Sequence, residues 1–67
     1  MRGRVIAFDE SRGLGEVQAD ADGAVYRFHC TQIADGTRTI AVGTLVTFET
    51  FEHPVGGAEA TAITGVA

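Results

Sequence analysis

Two short runs of the sequence contain most of the side chains that could bind a ligand: SRGLGEV at residues 11–17 and YRFHC at residues 26–30. All five basic residues of the chain are arginine. The planar guanidinium of Arg12 or Arg27 can contact a phosphate or stack on a flat ring. A genome-wide bias towards Arg, Ala and Gly is the simpler explanation of their number, so composition alone assigns them no role.

Three further residues have side chains of the metal-binding type: His29, Cys30 and His53. His29 and Cys30 are adjacent, and adjacent strand residues point to opposite faces, so no pair has the spacing of a metal site. Cys30 is predicted to be a small apolar packing residue, because no orienting triad accompanies it. Paired carboxylates and phosphate-binding loops are also missing from the pattern. The sequence therefore predicts no enzyme, no cofactor and no small-molecule substrate.

Length and composition predict one small domain spanning residues 1–67. Apolar residues make up 45% of the chain, with four Phe, one Tyr and no Trp, so Val, Ile and Ala must form much of the core. The net charge of −4 opposes general attraction to nucleic acid. A single cysteine excludes an internal disulfide and favours the reducing cytoplasm. No signal peptide or membrane-length apolar run is visible, so we expect no membrane partner.

Short β-rich runs separated by Gly, Asp and Pro predict an all-β chain with strands at residues 2–8, 14–19, 24–30, 44–51 and 58–64. DADG at residues 20–23 predicts a tight hairpin. Residues 31–43 predict a long crossover with one helical turn near residues 31–34, and residues 52–57 predict a second flexible loop.

Five short strands and one long crossover indicate a small antiparallel Greek-key barrel, which also removes exposed strand edges. Phe51 is either an exposed ring or part of the core. The residues predicted to supply much of the core are Val5, Val17, Tyr26 or Phe28, Val46, Phe48 and Ile63.

Three segments, at residues 3–17, 28–33 and 37–48, follow the patterns G-x-V-x-x-F-D-x-x-R-G-L-G-x-V, F-H-x-T-x-I and T-R-T-I-x-x-G-x-x-V-x-F. In this order they resemble the cold-shock domain of bacterial cold-shock-like proteins, over nearly the whole chain. The resemblance implies an OB-fold barrel that binds single-stranded RNA or DNA by stacking bases on aromatic residues of its second and third strands.

Most of the aromatic positions of that family have changed in this chain. Non-aromatic residues stand where the family has Trp or Phe: Ala7, Leu14, Glu16, Arg27, Cys30 and Thr37. The resemblance implies nucleic-acid contacts by Phe8, Arg12, Leu14, Arg27, His29 and Arg38. His29 either stacks on or hydrogen-bonds a base, or is an ordinary solvated strand histidine.

The four-residue hairpin predicts the pairing of the second and third strands. If Ala19 pairs with Ala24, then Glu16 lies opposite Arg27, with both side chains on the outer face. We expect a surface ion pair there, which would contribute about 0.2–1 kcal/mol to stability.

Two functions are compatible with this pattern. The first is single-stranded nucleic-acid binding of the cold-shock type, weakened because stacking rings have been replaced. The second is a cold-shock-like barrel used for protein–protein contacts, which the acidic balance and Leu14 favour. Family resemblance makes the first the preferred hypothesis.

Overall fold

The chain forms a closed barrel of five strands. The computed structural model describes residues 1–52, 54 and 56–66. Around the barrel the strand order is β1-β2-β3-β5-β4, and β4 closes the ring against β1. This order confirms the predicted Greek-key barrel of the OB type. The strands are β1 (Arg2–Asp9), β2 (Leu14–Ala19), β3 (Val25–His29), β4 (Leu45–Glu52) and β5 (Ala58–Gly65).

One junction of the barrel is parallel, although its other paired strands are antiparallel. β3 meets β5 at Arg27 and Glu59, and a parallel bridge joins Ile33 to Ile63. An odd number of strands cannot alternate in direction all the way round a closed ring, so one junction must be parallel. The crossover between β3 and β4 makes the parallel junction possible, because it leaves the position beside β3 to β5.

The predicted connections are present. In the hairpin between β2 and β3, the Ala19 amide donates to the Ala24 carbonyl oxygen (2.8 Å), and Gly23 has φ of 74°. A 3₁₀ turn at Cys30–Gln32 begins the crossover, close to the helical turn predicted near residues 31–34. No helix in the described part of the chain has the length and apolar character needed to span a membrane.

The strand boundaries lie within one residue of the predicted ones. Two β-bulges interrupt the ladders, one in β1 between Val5 and Ala7 and one in β5 between Thr61 and Thr64, which pair with Glu49 and Thr47 of β4. Bulges increase the local bend of a strand, as closure of so small a barrel requires. In the predicted loop at residues 52–57, positions 53 and 55 lie outside the described residues.

The core fills the barrel interior and contains the predicted residues. Tyr26 is half-buried, with its ring centroid 5.8 Å from that of Phe48, so both candidate rings of β3 pack inward. Fully packed side chains from β1, β2, β4 and β5 surround them, because alternate residues of each strand face inward. The buried apolar residues are Val5, Val17, Ala19, Phe28, Ile33, Val46, Phe48, Ala60 and Ile63.

Candidate functional site

The hairpin register confirms the predicted arrangement of the outer face. Glu16 lies opposite Arg27, and Leu14 lies opposite His29. These side chains point away from the core, because the alternate residues between them, including Phe28, are buried. Sequence reasoning therefore located the outer face of β2 and β3 correctly.

A row of five residues, one from each strand, crosses the outer surface of the barrel. Its members are consecutive partners in the strand ladders: Phe51, Glu59, Arg27, Glu16 and Ala7. Phe51 is 54% exposed, which decides between the two alternatives left open by the sequence: it is a surface ring. Along the row, an aromatic ring is followed by an arginine between two carboxylates and then by a methyl group.

The predicted ion pair between Glu16 and Arg27 does not form. Neither side chain has an ion-pair or hydrogen-bond partner among the described residues, although the two strands place them opposite each other. Register brings the backbones together, but it does not order long, hydrated side chains. The free energy of an exposed ion pair is too small to enforce one geometry. Both charged groups therefore remain available to a ligand.

Four of the predicted ligand-binding residues surround one outer depression of ≈ 520 Å³. We call it the outer depression. It receives residues from β1, β2, β3 and β5 and from the β1–β2 turn: Ala7, Phe8, Asp9, Arg12, Leu14, Gly15, Glu16, Arg27, Phe28 and Glu59. Three carboxylates and two guanidinium groups thus share its rim and floor. This balance disfavours the close approach of a phosphate backbone.

Asp9 and Glu59 are members of this site that the sequence reasoning did not identify. Asp9 is the last residue of β1 and pairs with Leu14. Glu59 reaches the site only through the parallel junction with β3, which pairs it with Arg27. The position of Asp9 at the entry of a Gly-containing turn was a usable signal. Nothing local in the sequence indicated Glu59.

The Asp9 carboxylate organises the turn between β1 and β2. Its Oδ1 accepts hydrogen bonds from the Ser11 hydroxyl (2.8 Å), the Ser11 amide (3.1 Å) and the Arg12 amide (3.3 Å). These bonds, led by that of the Ser11 hydroxyl, hold the pKa of Asp9 below its ordinary value. Arg12 Nε lies 3.8 Å from Asp9 Oδ2. At the outer depression, the positive charge of Arg12 is therefore partly balanced by the Asp9 carboxylate.

Gly13 and Gly15 allow the rings and the turn to pack closely. Gly13 has φ of 67°, and a Cβ at this position would lie 2.7 Å from Cys30 Sγ. A Cβ at Gly15 would overlap the Phe28 ring. The Phe8 ring stacks on Phe28, with centroids 6.1 Å apart and planes 16° apart. Phe8 is thus half-buried against the core while it lines the outer depression.

His29 lies beside the outer depression, opposite Leu14, and its ring is exposed. Its Nδ1 accepts a hydrogen bond from the Thr31 amide (3.3 Å) and lies 3.0 Å from Thr31 Oγ1, capping the 3₁₀ turn. In the neutral ring this leaves the proton on Nε2. His29 therefore has a structural role at Nδ1 that the sequence analysis did not identify, and contact of its exposed ring with a base stays a prediction.

Arg38 is the predicted ligand-binding residue that the structure keeps apart from the others. It lies in the crossover with φ of 62° and does not line the outer depression. Asp35 orders this loop by accepting hydrogen bonds from the amide (3.0 Å) and hydroxyl (2.8 Å) of Thr37. These bonds, the amide first, lower the pKa of Asp35. A second depression of ≈ 360 Å³ lies between Phe8 and residues 39–42.

Cys30 is a free thiol that is half-buried against the core, consistent with its predicted packing role. Its Sγ lies 3.8 Å from His29 Nδ1. In the part of the chain that the structure describes, no three His, Cys, Asp or Glu side chains are arranged to hold a metal ion. His53 lies outside the described residues.

Comparison with known proteins adds no family to these observations. No family model matches the chain, and no curated protein matches it. A function must therefore be inferred from the barrel and from the residues around the outer depression.

Proposed function

We propose that this chain is a barrel of the cold-shock type that binds single-stranded RNA or DNA, with lower affinity than such barrels usually have. One observation carries the proposal: the outer depression brings together Phe8, Arg12, Leu14 and Arg27, with His29 alongside. Sequence-tolerant binding of single strands combines basic groups with surfaces on which bases stack. A half-buried ring, two guanidinium groups and an imidazole supply both elements.

Low affinity follows from what the outer face lacks and from its charge. Each base stacked on an aromatic side chain contributes about 1–3 kcal/mol of binding free energy, and Ala7, Leu14, Glu16 and Arg27 provide no ring. Three carboxylates around the depression and a net charge of −4 oppose the phosphates. Few phosphates would be neutralised, so the affinity should depend only weakly on salt concentration.

The same charge balance supports a second candidate function, the binding of another protein. Leu14 and Phe51 are exposed on the outer face, where they flank the acidic residues Glu16 and Glu59. Exposed apolar groups among charges are typical of protein-contact surfaces. For either function we propose a non-catalytic, cofactor-independent protein of the cytoplasm, where Cys30 would stay reduced.

An NMR titration of the ¹⁵N-labelled protein with oligothymidine and with a short single-stranded RNA tests the proposal. At low salt we expect progressive shifts of amide signals from β2, β3 and the β1–β2 turn. At physiological salt the same residues should respond with lower but measurable affinity. No shifts at low salt would contradict nucleic-acid binding and favour the protein-contact function. Tight binding at physiological salt would contradict the proposed weakness.

A further inference from the structure

Glu16 is a carboxylate without a partner inside the outer depression. It is half-buried, and it makes no hydrogen bond or ion pair with any described residue. Its neighbours in the row across the barrel are Ala7, which has no polar side-chain atom, and Arg27, whose guanidinium makes no hydrogen bond or ion pair with it. Both carboxylate oxygens can therefore accept hydrogen bonds from a bound group. Asp9, by contrast, already accepts three hydrogen bonds within its own turn.

The space in front of Glu16 is large enough for a nucleobase. Ala7 and Gly15 flank Glu16 with almost no side chain, and they leave an outer depression of ≈ 520 Å³. Pockets that hold small organic molecules enclose roughly 300–1,000 Å³. Phe8 and Leu14 provide apolar walls against which a flat ring can lie. A base that enters the depression edge-first would meet the Glu16 carboxylate.

The four bases differ in what they offer to a carboxylate. An ionised carboxylate only accepts hydrogen bonds, through two oxygens. Single-stranded bases are read through their Watson–Crick edges, and guanine alone has two adjacent donors there, N1–H and the 2-amino group. Adenine and cytosine place an acceptor next to their single amino donor, and thymine or uracil flanks one donor with two acceptors. A carboxylate matches guanine at two points and each other base at one.

We infer that Glu16 makes the outer depression selective for guanine in single-stranded nucleic acid. Its two oxygens would accept the N1–H and 2-amino protons, while Arg27 on the opposite strand would offset the carboxylate charge and approach a phosphate. This inference rests on the proposed function, because it assigns a base preference to the same depression. It gives the replacement of a stacking ring by Glu16 a positive role: hydrogen-bond recognition takes the place of stacking.

Three seven-nucleotide DNA oligomers test the inference, each made of thymidine with one central guanosine, inosine or adenosine. Affinities are measured by NMR titration at low salt. A base recognised through two hydrogen bonds is discriminated by about 1–3 kcal/mol, so we expect the guanosine oligomer to bind about 5- to 150-fold more tightly than the adenosine oligomer. Inosine lacks the 2-amino group, and its oligomer should lie between them.

Two charge-matched variants assign the effect to one carboxylate. Glu16→Gln and Glu59→Gln each remove one negative charge from the same depression, and both residues are half-buried. Each variant should bind all three oligomers more tightly, because repulsion of phosphate decreases. The ratio of guanosine to adenosine affinity should fall towards one in Glu16→Gln and stay unchanged in Glu59→Gln. Amide spectra and thermal unfolding would show that both variants remain folded.

The outcomes distinguish guanine selectivity through Glu16 from the proposed nucleic-acid binding on which it rests. Equal binding of all three oligomers by the unaltered protein, or a guanosine preference that survives Glu16→Gln, would overturn guanine selectivity through Glu16 and leave nucleic-acid binding standing. Loss of the guanosine preference only in Glu59→Gln would assign guanine recognition to Glu59, and this outcome would also overturn the role of Glu16. No binding of any oligomer would overturn both proposals.

Discussion

The interior and the outer face of the barrel come from alternate residues of the same strands, yet they differ sharply in character. On β3, Phe28 is 1% exposed within an apolar core, whereas its neighbour Arg27 is exposed beside two acidic residues. The core residues form one packed cluster. On the outer face, Glu16 and Arg27 lie opposite each other without a hydrogen bond or ion pair between their side chains. One strand can therefore have an apolar, densely packed side and a charged, exposed side.

This difference indicates how the outer face of a barrel can change without loss of the fold. Side chains of the core are held by dense packing, so any large change there leaves a cavity or a clash. Side chains of the outer face meet mainly water, where substitutions usually change stability by less than about 0.5 kcal/mol. The outer face can therefore carry acidic residues at little cost in stability.

The largest effect is expected in the interior. Phe28→Ala removes a buried ring that packs against Phe8 and Gly15, and such changes cost about 3–5 kcal/mol of unfolding free energy. A domain of this size has only a few kcal/mol in total, so the variant should be largely unfolded at 25 °C by circular dichroism. Leu14→Ala on the adjoining outer face is the control and should unfold nearly as the parent protein does. Similar losses in both variants would contradict the contrast between the two sides.

The next effect concerns binding at the outer face. Glu16→Phe combined with Arg27→Phe would place two rings on neighbouring strands, at positions where the cold-shock resemblance has aromatic residues. Two restored stacking groups should increase single-strand binding by roughly 2–6 kcal/mol, as measured by titration with oligothymidine. Because the two charged groups form no ion pair, each single change should provide about half of the gain.

A double-mutant cycle on oligothymidine affinity measures that additivity, and thermal unfolding shows whether each variant keeps the barrel. A folded double variant that binds no better than the parent would count against the cold-shock orientation of this face. The protein-contact function would then become the leading hypothesis.

A smaller effect is expected where the turn between β1 and β2 meets the core. Gly13→Ala and Gly36→Ala place a side chain at similar backbone angles, with φ of 67° and 76°, so both carry the strain of a left-handed residue. At Gly13 the new Cβ also meets Cys30 Sγ, whereas nothing lies within 4 Å at Gly36. Urea unfolding should show Gly13→Ala to be less stable by about 1–3 kcal/mol more than Gly36→Ala. Equal losses would mean that the contact with Cys30 relaxes freely.

The smallest effect is a pH dependence of stability that originates in the turn between β1 and β2. Hydrogen bonds, the Ser11 hydroxyl first, hold the pKa of Asp9 below its ordinary value of 3.8. Ionised Asp9 therefore stabilises the fold above that pH, and the contribution disappears as the pH falls through the lowered pKa. Ser11→Ala should lower Tm slightly near neutral pH, and the difference from the parent should shrink to nothing as the pH falls from neutral to below the lowered pKa of Asp9. A difference that is constant across this range would exclude the carboxylate as its origin. Thr44→Ala, which loses a hydroxyl bond to the Ala41 carbonyl oxygen instead, is the control.

Much of the fold could be predicted from local patterns. Alternation of apolar and polar residues predicted which side of β3 faces inward, and the turn DADG predicted the pairing of Glu16 with Arg27. These features depend on residues that are close in sequence. The predicted ion pair was wrong because the register determines how backbones lie, whereas side-chain contacts on a wet surface depend on a small free-energy balance.

The sequence by itself determined a single all-β barrel, its core and the two sides of each strand, because strand periodicity and turn chemistry are local properties of the chain. Only the tertiary structure decided which residues share the outer depression. Glu59 lies 32 residues after Arg27 in the chain and becomes its neighbour through the parallel junction of β3 and β5. That junction exists because five strands close into a ring, a condition that no short stretch of the sequence contains.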